Sequence, residues 1–179
     1  MGGVGSHFIA IPMAENQLLH RVWASGPFDL EGLPAAAERL IPALMEVLRS
    51  AEGGAIPAGV VALQGEMGAG KTTLVKALCE AWHVEEAAVS PTFGLVQCYK
   101  GQGRAIYHLD LYRLKNEEEA WDLGLTEYFD GDGLNFVEWP EQAPGVLPAD
   151  AVLLEVRVNG LQHDGTRELF LSVPNERGM

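Results

Sequence analysis

The apolar positions of this chain change period several times, and each change predicts an element. Gly59-Val60-Val61-Ala62-Leu63-Gln64 is an unbroken apolar run rich in β-branched residues, the pattern of a strand buried on both faces. Shortly after it, Leu74, Leu78 and Trp82 recur at i, i+4 and i+8, which predicts a helix over 71–82 with one side on a sheet. Pro34 to Ser50 also reads as helical, with Leu40, Leu44, Val47 and Leu48 on one stripe, and Pro42 is expected to kink or restart it. Phe93 to Tyr99 and Ala105 to Leu111 read as the strands of a hairpin turning at Lys100-Gly101-Gln102-Gly103. Ala151 to Val158 and Glu168 to Val173 read as a second hairpin. Leu134 to Val137 is a further buried-strand candidate, and Leu18 to Ala24 another strand. Asn116, followed three residues later by Glu119, predicts a capped helix from Glu117 to about Leu123. Strand and helix alternating around residue 70 indicate an α/β layered fold with antiparallel additions.

Composition narrows the class. Of 179 residues 47% are hydrophobic, enough to bury a core in one domain. Twelve Lys and Arg against 25 Asp and Glu give a net charge of −13, which repels a phosphate backbone and argues against tight, autonomous nucleic-acid binding. Cys79 and Cys98 form neither a CxxC pair nor a disulfide framework and suit a reducing cytoplasm. No run approaches the ~18 to 20 apolar residues that span a bilayer, and the N-terminus lacks the layout of a secretion signal. Met1 to Ser6 fits the loose myristoylation pattern only as any Gly-rich leader does.

The chemistry concentrates between the first buried strand and the helix after it. Gly65-Glu66-Met67-Gly68-Ala69-Gly70-Lys71-Thr72 matches G-x-x-x-x-G-K-[ST] in full. Glycines at that spacing let backbone N–H groups converge on a phosphate, the helix N-terminus adds positive potential, Lys71 supplies a mobile cation and Thr72 offers a hydroxyl to Mg²⁺. Such a loop needs an acid near the metal at the end of a neighbouring strand, and two compete. Glu138 ends Leu134-Asn135-Phe136-Val137, which resembles a Walker B strand apart from the polar Asn135; Asp110 ends Ile106-Tyr107-His108-Leu109. Alternation puts His108, Asp110 and Tyr112 on one face, where His108 fits a satisfied core histidine better than a proton carrier. Ser90-Pro91-Thr92 forms a loop in which a hydroxyl could report a γ-phosphate, or simply a turn. Glu117 to Glu141 holds nine acids and no Lys or Arg, a solvated face or a docking surface for a basic partner. Asp130-Gly131-Asp132-Gly133 imitates a GTPase D-x-x-G and a calcium loop, but it precedes a strand and lacks the later calcium ligands. With no N-K-x-D to read guanine, adenine is favoured by elimination.

These residues together resemble the TsaE family, also called YjeE. The stretches GEMGAGKTT (65–73), SPTFGL (90–95), HLDLYR (108–113), LGLTEY (123–128) and FVEWPE (136–141) occur in the family's order. The resemblance implies a P-loop NTPase-like three-layer sandwich, with central parallel strands flanked by antiparallel strands and hairpins, over residues 34–179. Residues 1–33 then stand before it as an N-terminal extension with one candidate strand. It implies an Mg²⁺-dependent ATPase, slow alone, that acts on the TsaB and TsaD proteins in threonylcarbamoylation of adenosine 37 of ANN-decoding tRNAs. tRNA is then met only through the complex, in the cytoplasm and without a membrane. It carries Lys71 and Thr72 onto the phosphate and magnesium positions, Glu138 onto the Walker B acid, Asp110 onto the acid of H-x-D-x-Y-R, Thr92 onto the switch-like loop, and Thr73 and Trp139 onto positions linked to activity. Two rivals share the loop: a small-molecule kinase, and an interaction module gated by ATP or ADP without required hydrolysis.

Overall fold

The computed structural model describes residues 19–48, 56–86, 94–100, 103–160 and 165–175. In chain order they form β1 (Leu19–Ala24), α1 (Leu33–Val47), β2 (Gly59–Gln64), α2 (Lys71–Ala81), β3 (Glu85–Glu86), β4 (Val96–Lys100), β5 (Ile106–Asp110), α3 (Glu117–Asp122), α4 (Thr126–Asp130), β6 (Leu134–Glu138), β7 (Val152–Asn159) and β8 (Thr166–Pro174). All eight strands join one sheet in the order β1-β8-β7-β2-β6-β5-β4-β3. Its centre is parallel, since β2 pairs with both β6 and β7 and β5 pairs with β6; the flanking pairs are antiparallel. This is the α/β arrangement expected, with both hairpins in place. The strand at 19–24 adds to the sheet edge against β8.

Each face of the sheet is covered by its own apolar layer. Val61 and Leu63 of β2, Leu134 and Phe136 of β6 and Ile106 of β5 pack with α1 and α2. Val60, Val137 and Leu109 point the other way, into a cluster closed by α3, α4 and the segment from Ala143 to Ala151. Two-residue alternation therefore decides which strand residues can reach α2: in β6 the parity of Leu134 and Phe136 continues to Glu138, and in β5 the parity of Ile106 continues to His108 and Asp110.

Two expectations need correction or placement. Of the two outcomes expected at Pro42, a kink or a restart, the restart does not occur: α1 runs from Leu33 to Val47 as one helix with the proline inside it. Pro42 lies exposed while Leu40 and Leu44 are fully buried, so the proline sits off the apolar stripe, which stays whole. The loop containing Ser90-Pro91-Thr92, the turn at Gly101-Gln102 and Leu18 lie outside the described residues.

The acidic run from Glu117 to Glu141 is not uniformly a solvated face. Asn116 Oδ1 caps α3 by accepting the Glu119 N–H at 2.9 Å, and Glu119 reaches back to the Lys115 N–H at 2.8 Å. Glu117 Oε2 accepts the Gly145 N–H at 3.0 Å, Asp132 pairs with Arg104 at 3.0 Å, and Glu138 is buried.

Candidate functional site

The carboxyl ends of β2, β5 and β6 lie at one edge of the parallel centre, where α/β sheets place their ligands. The loop leaving β2 there is shaped by its glycines. A Cβ on Gly65 would lie 2.6 Å from the Val156 carbonyl oxygen, so the loop presses against β7 closer than any side chain permits. Gly68 and Gly70 take φ of +80° and +104°, conformations that other residues adopt only with strain. Gly70 is the N-cap of α2 and supplies no side-chain cap, in contrast to Asn116 on α3. The first intrahelical bond runs from the Leu74 N–H to the Gly70 carbonyl at 2.8 Å, so the amides of Lys71, Thr72 and Thr73 remain for an anion.

Glu138 reaches this helix end. Its Oε1 accepts the Thr72 hydroxyl at 2.6 Å and His108 Nε2–H at 2.8 Å. The carboxylate is only 4% exposed. Burial pushes its pKa up, but the hydrogen bonds from His108 and Thr72, with the charges of His108 and Lys71, more than offset this and hold it below the usual carboxylate range. His108 is buried as well, and its Nδ1 has no hydrogen-bond partner, so Nε2 carries the donated hydrogen. It is a core histidine, and what it satisfies is the carboxylate at the mouth of the loop.

Lys71 is 5% exposed and folds back over its own loop. Its Nζ donates to the carbonyls of Gly65 at 2.7 Å and Glu66 at 3.1 Å, and lies 4.3 Å from the centroid of the Trp139 ring. Burial pulls its pKa below the ordinary lysine value, against the charges of Glu138, Glu141 and Asp110, which act to keep it protonated. Trp139 sits at φ +57°, ψ +50°, a left-handed conformation that costs a tryptophan about 1–2 kcal/mol. Its ring stacks obliquely on Tyr112 at 5.0 Å. Asp110 Oδ1 accepts the Tyr112 N–H at 3.1 Å, closing the turn after β5.

Met67, Gly68, Gly70, Lys71, Thr72, Thr73, Asp110, Tyr112, Glu138 and Trp139 line one cavity of about 330 Å³. The remaining residues of the motif serve as framework: Gly65 and Glu66 hold Lys71 through their carbonyls, and Ala69 is buried. Thr92 lies outside the described residues. Sequence reasoning missed Arg167, whose Nε donates to the Ala69 carbonyl at 3.2 Å from β8. The available signal was its parity with Leu169 and Leu171, which places an arginine on the apolar face of its strand. Chemically, the cavity offers amides and an ammonium to anionic oxygens, and beside them a hydroxyl and an ionised carboxylate, the oxygen donors a hard divalent cation takes.

Comparison with known proteins bears on this site. The family model of the threonylcarbamoyl adenosine biosynthesis protein TsaE matches residues 34–169. Among curated relatives, the tRNA threonylcarbamoyladenosine biosynthesis protein TsaE of Bacillus subtilis is 37% identical over 124 residues, covering 69% of this chain and 75% of that protein. The Treponema pallidum protein of the same name is 40% identical over 113 residues, 63% of this chain and 81% of that one. The Haemophilus influenzae protein is 39% identical over 97 residues, and there the match spans 61% of the relative's length. The crystal structure of Bacillus subtilis YdiB superposes with a TM-score of 0.62 at 24% identity, covering 88% of both chains, and shares the fold. With the family match running from α1 into β8, across every element that builds the cavity, this chain belongs to the TsaE family of threonylcarbamoyl adenosine biosynthesis proteins.

Proposed function

We propose that the chain is a P-loop ATPase that binds ATP with Mg²⁺ at this cavity and uses hydrolysis to drive TsaB and TsaD through threonylcarbamoylation of adenosine 37 in ANN-decoding tRNAs. The observation that carries the reading is the 2.6 Å contact between the Thr72 hydroxyl and Glu138, made at the open N-terminus of α2. It gathers a cation-binding hydroxyl, an ionised carboxylate and a row of amides within one small cavity.

In this reading the amides from Gly68 to Thr72 bind the phosphate oxygens, and Lys71 exchanges the Gly65 and Glu66 carbonyls for the β- and γ-phosphates. Thr72 and Glu138 hold Mg²⁺, directly or through water, and His108 keeps Glu138 turned toward Thr72. The cation, when bound, neutralises charge that develops on the transferring phosphoryl group. Among the described residues no group of three or more His, Cys, Asp or Glu is gathered to hold a metal ion, so Thr72 and Glu138 are the side chains that would hold it here. Asp110 lines the same cavity, beside Glu138, and would polarise the attacking water or shape the second shell of the cation. Trp139 and Tyr112 form an aromatic wall beside Lys71.

The net charge of −13 fits a protein that meets tRNA only through partners in the cytoplasm. Among the described residues no helix is long and apolar enough to cross a membrane. The test is ATP hydrolysis with and without the TsaB–TsaD pair. The partners should stimulate turnover, and Lys71→Ala should reduce stimulated hydrolysis about a hundredfold or more. Unchanged hydrolysis by Lys71→Ala, or phosphate delivered to a metabolite instead of water, contradicts the reading. Full tRNA modification by a Glu138→Gln protein that binds ATP but does not hydrolyse it would favour a nucleotide-gated module.

A further inference from the structure

Arg167 sits where the alternation of β8 assigns an apolar residue, in phase with the fully buried Leu169 and Leu171, and is itself 6% exposed. Its Nε donates to the Ala69 carbonyl at 3.2 Å and its Nη1 to the Gly165 carbonyl at 3.1 Å. Among the described residues no carboxylate lies within 4 Å of it. Two neutral carbonyls return less than the hydration that a guanidinium loses on burial, so a charge held this way calls for an anion close by. What lies close by is the loop. An ideal Cβ on Gly70 would stand 3.8 Å from Arg167 Nε, which puts the guanidinium directly behind the last glycine of the motif.

The contact also fixes a direction. The Ala69 carbonyl and the Gly70 N–H belong to one trans peptide plane and point opposite ways. Holding the carbonyl toward β8 turns the Gly70 amide away from β8, and Gly70 lines the cavity together with Gly68, Lys71 and Thr72. Gly70, at φ +104°, has the backbone freedom to let this peptide turn over, so an external tether has something to select. The tether is firmly mounted, because the backbone of Arg167 bonds in both directions with Phe28, at 2.9 and 2.7 Å.

We propose that Arg167 is a positioning residue for phosphate binding: it locks the 69–70 peptide with its amide toward the anion and sets a fixed positive charge behind the loop. The proposal rests on the nucleotide reading above and deepens it, since the contribution of Arg167 should grow with the number of phosphates bound.

The experiment titrates mant-ATP, mant-ADP and mant-AMP, with Mg²⁺, into the full chain as wild type, Arg167→Met, Arg167→Lys and Lys71→Ala. Arg167→Met should weaken mant-ATP about tenfold or more, mant-ADP less, and mant-AMP about twofold at most. Arg167→Lys, which keeps the charge, should recover part of the mant-ATP affinity. Equal losses for all three nucleotides, or no loss, would overturn the proposal and leave Arg167 a packing residue. Should the methionine variant fail to fold, Arg167→Gln decides by the same titration: it keeps a donor for Ala69 without the charge, so its loss should still be larger for mant-ATP than for mant-AMP, and equal losses for the three nucleotides would overturn the proposal. A wild-type chain that does not bind mant-ATP overturns the nucleotide reading and this proposal with it. Binding that Lys71→Ala abolishes and Arg167→Met leaves intact overturns this proposal alone.

Discussion

Strand β6 buries two polar side chains, three residues apart and on opposite faces, and they are partnered in opposite ways. Asn135, with no exposed surface, points Nδ2 at backbone carbonyls: Tyr128 at 3.0 Å, and Gly59 and Gly133 at 3.4 Å each. Glu138, 4% exposed, is held by the side chains of Thr72 and His108 beside an open cavity. Asn135 Nδ2 pins the start of the strand to its neighbours, its Oδ1 is buried without a partner among the described residues, and no open cavity there reaches the side chain from which a ligand could enter. Glu138 is held by groups that a cation and its waters can share. A buried polar residue is therefore not a mark of function by itself; its partners and its access decide.

The cavities at the two ends of β5 and β6 repeat the lesson. The larger, about 740 Å³, lies where these strands begin, and its charged pair, Arg104 and Asp132, meets at 3.0 Å with the Asp132 carboxylate largely in water. The smaller, about 330 Å³, holds the glycine loop, Lys71 and the two strand-end acids. Volume ranks them one way and chemistry the other.

Reversed isosteric swaps on β6 would break this comparison most severely if it is wrong. Asn135→Asp replaces two donors with a carboxylate facing three carbonyls, and should cost about 3 kcal/mol or more of stability by denaturant unfolding, with nucleotide affinity of the folded protein unchanged. Glu138→Gln should lower ATP hydrolysis by about a hundredfold, roughly 2.7 kcal/mol, while costing less stability than Asn135→Asp. If the two variants exchanged phenotypes, the division of labour along the strand would be refuted.

A gentler test uses acid. The pKa of Glu138 is depressed in the folded chain, so its stabilisation is complete above the unfolded carboxylate's ~4.3 and is lost as pH falls from there through the folded value. Stability measured between about pH 6 and pH 3 should accordingly fall less steeply for Glu138→Gln than for wild type. Smallest of all, Arg104→Ala in the larger cavity should cost about 1 kcal/mol through its lost bond to the Ile56 carbonyl, and should leave nucleotide affinity within twofold.

Much of this was legible in the chain, and the part that was not has physical causes. The glycine loop, β2, α2 and β6 announce themselves because their signals are local: a β-branched run, a fixed glycine spacing, a 3.6-residue stripe. The Asn116 cap is local too. Whether Pro42 would break α1 was not legible locally, because a proline's effect depends on which face it occupies, and that is set by the packing of α1 on the sheet. Asn135 looked like a blemish in an apolar strand, because its carbonyl partners come from positions 59, 128 and 133 and meet only in the fold. The competition between Asp110 and Glu138 could not be ranked from spacing. In the fold, register places them side by side on β5 and β6, and the Thr72 hydroxyl lies on Glu138. Arg167 is 98 positions from its partner Ala69, and no local pattern links them.

The most direct trial is a crystal structure of the chain grown with Mg²⁺ and a non-hydrolysable ATP analogue. The phosphates should rest on the amides from Gly68 to Thr72, with Lys71 Nζ moved from the Gly65 and Glu66 carbonyls onto them and the cation beside Thr72 and Glu138. Phosphates found instead in the larger cavity near Arg104, or a loop whose amides turn away from the anion, would contradict the account.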